Sequence, residues 1–348
     1  MRLSPDPTFS VGGNGDLTLH RVRNAVFFRG GVAIAHSNEV LFLDQRGNLV
    51  WRHGREGEGP GDYKTLYGIS RYNECLLVWD IGLSRFTVLD ADGEYVRNVR
   101  IEPLGFTTLV GAFGDNALVQ HQTMGYPGVG AEGPREVRLP IVFEAYDLRD
   151  GELTLRTSRP GEEQWAARTD DHIHGGLPII FGRTAVAAAT SQAAYIATTD
   201  SLVLTEFDGT GHERTISLPS VSAPVGRGWA SFVRDSLRAA IDVRPSTGAM
   251  QRVKRFDLRL LDNLPVRPRL PPFSDVLGGR DGRLWVRSYP SPVEKNSVWV
   301  AIDREGRPQR AIEVPRNARV LDLDEDRALL LSRGPLGVEL VEVYALRR

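Results

Sequence analysis

The stretch Gly54–Tyr63, GREGEGPGDY, decides how the rest of the chain is read. Four glycines and a proline in ten residues can form neither a helix nor a regular strand. On its C-terminal side, Lys64–Ile101 is a run of short apolar segments separated by turn residues. On its N-terminal side, Val32–His53 is the same run with different residues. The decapeptide is therefore a joint between two copies of one unit.

Each copy reads as four strands, a to d, rich in the β-branched and aromatic residues that suit a pleated, half-buried surface. In the first copy strand a lies near Arg21–Phe28, b is Val32–Ala35, c is Glu39–Leu43 and d is Leu49–Arg52. In the second the strands are Leu66–Arg71, Leu76–Trp79, Phe86–Leu89 and Tyr95–Ile101. Between c and d stands an aspartate followed by a glycine: FLDQRG ending at Gly47, VLDADG at Gly93, AYDLRDG at Gly151, EFDGTG at Gly211 and AIDREG at Gly306. Aspartate bonds its own backbone there while glycine takes positive φ. A sixth copy reaches its c strand at Glu339–Leu346 and lacks d, which Thr8–Gly12 is expected to supply from the other terminus. The expectation is an all-β fold: a six-bladed β-propeller over residues 1–348 as one domain, its last blade closed by the N-terminal strand.

Unequal spacing between copies locates four insertions: Gln122–Arg138, Ser158–Pro178, Pro219–Leu270 and Pro290–Asn296. Each falls in a b–c loop or a d–a link, and so on one face, which is the expected ligand face. The longest contains apolar residues at helical spacing: Trp229, Phe232, Val233, Leu237 and Ile241, then Met250, Val253, Leu260, Leu261 and Leu264. It reads as a helical hairpin near 228–243 and 249–263, inserted between blades 4 and 5. From Arg227 to Arg269 it carries ten Lys/Arg and four Asp. This is either a solvated helix face or a basic lid over an anionic ligand.

Strand b ends at the ligand face in every blade. Its last residues are His36, Asp80, His121, Thr199, Arg287 and Arg333, a convergent polar set suited to a polar or anionic ligand. Some of them will instead cap strand backbone. Arg55, Glu56 and Glu58 of the joint are placed at the rim. The joint is not a phosphate loop, because it lacks the Gly-Lys-Ser/Thr ending and opens no helix. Asp170-Asp171-His172-Ile173-His174 is the most metal-like string. If extended, His172 and His174 point the same way and would hold zinc with a third ligand from His36 or His121. The plainer reading is a polar surface loop. Calcium fits poorly, because the inferred ring is mixed and partly cationic. Cys75, the single cysteine, excludes an internal disulfide and reads as a small buried residue.

Net charge is −1, so no global field draws in nucleic acid or an anionic membrane. No apolar run approaches the roughly 20 residues that span a bilayer. The start, MRLSPDPTFS, shows no signal peptide.

Three motifs resemble those of bacterial six-bladed β-propeller proteins related to NHL-repeat proteins: GREGEGPGDY, Phe273–Pro290 (FSDVLGGRDGRLWVRSYP) and Leu336–Arg348 (LGVELVEVYALRR). The resemblance implies the propeller fold and a periplasmic or exported setting. Function stays open between two classes. One is a binding module for a small molecule, glycan or protein. The other is a metal-assisted lyase or hydrolase at the channel mouth, by analogy with an NHL-type lyase whose zinc-bound histidines act there.

Overall fold

The structure, a computed structural model, describes residues 1–13, 17–122, 133–168, 174–218, 222–245, 247–334 and 337–347. Two short strands open the chain, β1 (Arg2–Leu3) and β2 (Phe9–Gly12). The first four-stranded antiparallel sheet is β3 (Val22–Phe28), β4 (Gly31–His36), β5 (Glu39–Leu43) and β6 (Leu49–His53). The second is β7 (Leu66–Tyr72), β8 (Cys75–Asp80), β9 (Arg85–Leu89) and β10 (Tyr95–Arg100). The third is β11 (Thr108–Phe113), β12 (Asn116–Gln122), β13 (Arg135–Asp147), β14 (Leu153–Arg168) and a fifth strand, β15 (His174–Pro178).

A further sheet is β16 (Ala185–Ala189), β17 (Ala193–Thr198), β18 (Val203–Asp208) and β19 (Glu213–Ser217). Helices α1 (Trp229–Asp242) and α2 (Gly248–Asp262) come next. Then follow β20 (Asp275–Gly278), β21 (Leu284–Arg287), β22 (Asn296–Ile302) and β23 (Pro308–Pro315), and finally β24 (Arg319–Leu323), β25 (Arg327–Arg333) and β26 (Glu339–Arg347).

The first strands touch one another in series: β3 with β7, β7 with β11, β11 with β16, β16 with β20, β20 with β24, and β24 with β3 again. The series returns on itself, which makes the fold propeller-like. Apolar cores fill the spaces between neighbouring sheets. Val40, Tyr63, Leu66 and Leu76 join the first two, and Leu19, Val32, Leu329 and Val341 join the last to the first. A four-stranded sheet cannot bury both faces alone, so each depends on both neighbours.

The N-terminal segment is used twice. Phe9–Gly12 pairs antiparallel with Leu340–Val343 of β26. Arg2 pairs with both Arg347 of β26 and Glu313 of β23, joining two units into one nine-stranded sheet. The second use had no counterpart in the sequence reading.

The recurring turn forms as its residues dictate. Asp44, Asp90, Asp208 and Asp303 each accept, through Oδ1, the backbone N–H groups two and four residues on. Gly306 shows why glycine closes the turn. Its φ is 81°, and a Cβ there would lie 2.0 Å from the Ser217 carbonyl oxygen of the preceding sheet.

The joint Gly54–Tyr63 is a clasp around a single side chain. Arg85 is 5 % exposed. Its guanidinium donates to the carbonyls of Glu58 (3.2 Å), Gly59 (2.7 Å) and Asp62 (2.7 Å). Tyr63 is fully buried between the first two sheets, and a Cβ on Gly54 would strike its ring at 2.3 Å. Arg85→Leu strands three carbonyls and is expected to cost on the order of 3 kcal/mol. Urea denaturation measures this, and a loss below about 1 kcal/mol, the range of ordinary surface changes, would contradict the clasp.

Two insertions differ from expectation. Ser158–Pro178 is not a link. Residues through Arg168 continue β14, and His174–Pro178 adds a fifth strand against it. Pro160 reads as a breaker, but it lies opposite Pro140 in the paired strand, at a register shift where missing N–H groups interrupt little. Within Gln122–Arg138, residues 135–138 already belong to β13, and residues 123–132 lie outside the described residues. The helices pack on this long hairpin through Trp165, Ala167, Leu177, Ile241, Phe256 and Leu260. No helix is long and apolar enough to cross a membrane.

Candidate ligand-binding site

Antiparallel pairing places the start of each first strand beside the end of each second strand. His36 lies opposite Val22, Asp80 opposite Leu66, and Arg287 opposite Asp275. This loop end also carries the joint and the β14–β15 projection. The opposite, turn end holds the hairpins between first and second strands.

The expected second-strand and joint residues lie at the loop end but do different work. The Asp80 carboxylate is fully buried and accepts the N–H groups of Lys64 (2.8 Å), Thr65 (3.0 Å), Gly82 (2.9 Å) and Leu83 (3.2 Å). Thr199 Oγ1 accepts the Thr184 N–H at 2.9 Å. Both act as backbone caps, and the four N–H groups on Asp80 occupy its carboxylate. Arg55 is exposed and pairs with Asp62 at 2.9 Å, while Glu58 pairs with Lys64 at 2.8 Å. Arg333 is exposed, 3.8 Å from Glu339.

His36 and His121 are buried, each with an Nδ1 that has no partner among the described residues. Burial lowers the His36 pKa, and Glu39 at 3.8 Å offsets this only in part. Burial lowers His53 in the same direction. Both therefore take up a proton less readily when folded than in the unfolded chain, where histidine titrates near pH 6.5. Their contribution is therefore present above about pH 6.5 and lost as pH falls below it. Stability is expected to drop between about pH 7.5 and 5.5, and less steeply in His36→Asn/His53→Asn. Chemical denaturation at the two pH values reads the slope, and equal slopes would contradict it.

His174 opens β15, while Asp170, Asp171 and His172 lie outside the described residues. Among the described residues no group of three or more His, Cys, Asp or Glu is arranged to hold a metal ion. The Cys75 thiol is pushed up by burial, away from the thiolate form.

Beside the expected Arg287, the loop end carries three arginines outside the set expected from sequence: Arg23, Arg316 and Arg319. Arg23, near the start of β3, lies over the Tyr67 ring at 4.7 Å, and its buried Nε has no partner. Arg287 lies 5.9 Å from the centre of the Trp299 ring, and its Nε is likewise buried and orphaned. Arg319 donates to the Arg23 carbonyl at 2.9 Å, and Arg316 to the Ser291 carbonyl at 2.8 Å. Desolvation lowers the pKa of Arg287 and Arg319; the charges of Asp275 and Glu339, respectively, oppose this, and those of Arg316 and Arg333 add to it. Burial raises Asp275, opposite Arg287, above the usual carboxylate range. Second-strand ends include Arg287 but not Arg23, Arg316 and Arg319, which lie on first strands or the links before them. The register Asp275–Arg287 is the signal that would have found them.

The turn end holds a cavity of about 230 Å³ lined by Phe27, Ser70, Arg71, Glu74, Thr190 and Arg280, among others. Its cations are compensated. Arg71 pairs with Asp322, Arg29 with Glu74, and Arg280 with Asp324. A wider cleft beside β10 includes Arg156, which pairs with the fully buried Glu144. Most cations of the helical hairpin are also engaged. Arg238 pairs with Asp262, Arg244 with Asp257, and Arg267 with Glu136 and Glu163.

No family model and no curated protein matches the sequence. Among solved structures, the chain is similar to a candidate exported protein from Bacteroides fragilis. The two share 12 % identity at a TM-score of 0.50, over 99 % of this chain and 95 % of the other. It is also similar to a member of the DUF4221 family from Bacteroides vulgatus. Here identity is 13 % and the TM-score 0.50, over 99 % of this chain and 98 % of the other. At these identities the likeness establishes the fold alone.

Proposed function

We propose that the chain is a single-domain, six-bladed β-propeller that acts as a binding module and receives its ligand at the loop end. The cyclic run of first-strand contacts supports the blade count. The helical hairpin then sits between the fourth and fifth blades. The observation that carries the binding reading is a contrast between the two ends. Arginines at the turn-end cavity all have carboxylate partners, whereas Arg23, Arg287, Arg316 and Arg319 are held by aromatic faces and backbone carbonyls. A rigid fold that holds polar groups around one axis without satisfying them is suited to recognition. Of the residues expected from sequence, His36, His121, Arg287 and Arg333 stay in the proposed site, while Asp80 and Arg55 support it structurally.

The test compares ligand-induced thermal stabilisation across a panel of small polar molecules and glycans. Stabilisation is expected to disappear in Arg287→Ala/Arg333→Ala and to persist in Arg280→Ala. The reverse pattern would place the ligand at the turn end and overturn the proposal.

A further inference from the structure

Like charges seldom gather in a half-buried recess without counterions, because each guanidinium there loses hydration and repels its neighbours. Over much of the chain the protein follows this rule, although the buried Arg85 is held by carbonyls alone. Arg71, Arg138, Arg156, Arg214 and Arg327 each meet a carboxylate at ion-pair distance. At the loop-end mouth, between the starts of β20, β24 and β3, it does not.

Three features there act together. First, among the described residues no carboxylate lies within ion-pair distance of Arg23, Arg287, Arg316 or Arg319. Secondly, the partners they do have fix their positions without neutralising them. A carbonyl takes one N–H of a fork that offers five, and an aromatic face takes none. Thirdly, the buried Nε donors of Arg23 and Arg287 have no acceptor. An unmade hydrogen bond at a buried charged donor is costly unless something else completes it. The two carboxyls of the region, Asp275 near Arg287 and Glu339 near Arg319, attract these guanidinium groups from beyond ion-pair distance, and each also holds a backbone N–H. Glu339 accepts the Val22 N–H at 2.7 Å, and Asp275 accepts that of Val276 at 2.9 Å.

We infer that this mouth is an oxyanion seat, in which Arg23, Arg287 and Arg319 grip a multiply charged group of the phosphate or sulfate class through forked hydrogen bonds. A single carboxylate offers two oxygens, too few for three guanidinium forks, whereas a tetrahedral oxyanion presents acceptors in several directions. The ligand is a small molecule or glycan bearing such a group. This rests on the loop-end reading above and adds the chemical class to it.

Inorganic phosphate and sulfate are the probes, titrated against sodium chloride at matched ionic strength, with binding read by calorimetry and by thermal shift. Either oxyanion is expected to raise the melting temperature by several degrees beyond chloride, and acetate is not. Arg287→Gln and Arg319→Gln are each expected to weaken binding at least tenfold, and Arg280→Gln at the turn end to leave it unchanged. A second expectation guards against variants that merely unfold. Without oxyanion, Arg287→Gln relieves repulsion and melts no lower than the parent, so that stability and binding move in opposite senses. No oxyanion effect beyond chloride, or an effect that survives both substitutions, would overturn the seat. That failure differs from failure of the loop-end reading, which requires some ligand of the panel to be captured at the turn end.

Discussion

Deleting Met1–Gly13 will lower the melting temperature by about 5–8 °C. These residues supply the hydrogen-bonding partner along one side of β26 through β2, and β1 ties β26 to β23. The Thr8 N–H donates to the Val343 carbonyl at 2.6 Å, Ser4 N–H to Ala345 at 2.8 Å, and the N-terminal ammonium to Ala311 at 2.6 Å. Phe9 and Val11 pack on the core between the last and first sheets, and Met1 and Leu3 on the core before it. At about 1 kcal/mol net per hydrogen bond, plus the apolar burial, the loss is about 4–6 kcal/mol. The deletion also bares an edge strand, so aggregation is expected on heating. Scanning calorimetry measures both effects. A melt within about 2 °C of the parent would show that the ring does not depend on this closure.

The second large effect is expected at Asp322. This carboxylate is 2 % exposed. It accepts the Phe27 N–H at 2.8 Å from the first sheet and pairs with Arg71 of the second, while its own strand, β24, belongs to the last. One side chain thus spans three sheets near the axis. Asp322→Ala leaves the Arg71 charge and the Phe27 N–H unpaired in a desolvated place. Breaking a buried pair in this way costs about 3–5 kcal/mol. Replacing both partners by apolar residues, in Arg71→Met/Asp322→Leu, should recover at least half of the loss, because no orphaned charge remains. A single variant about as stable as the parent, or a double variant worse than the single, would show that the pair does not staple the sheets.

What could be read from the sequence follows from how local each interaction is. The Asp-to-Gly turns are legible because the aspartate and the glycine satisfy the same few backbone groups they terminate. The helical hairpin is legible because its apolar stripe recurs within one segment, and α1 and α2 fall within a residue of the expected bounds. The β14 projection is not legible, because Pro160 and Gly161 signal a break that only pairing with Pro140 overrides. The clasp around Arg85 is half legible. Its glycines announce a turn, but the guanidinium that the turn wraps lies beyond it in the chain.

The positions of the second-strand ends were legible, but not the work each residue does there. Second-strand ends do lie at the loop end, yet Asp80 and Thr199 are consumed by backbone capping, which depends on exact loop geometry. The arginines of the proposed seat are distinguished by having no carboxylate at ion-pair distance among the described residues. A sequence shows charges and cannot show which of them has a counterion nearby.

The most direct measurement is a high-resolution crystal structure of the protein grown with phosphate. The account predicts six antiparallel sheets about one axis and tetrahedral density among Arg23, Arg287 and Arg319 at the loop end. Density seated instead at the turn-end cavity beside Arg71 and Arg280, with the loop-end guanidinium groups paired to carboxylates, would contradict it.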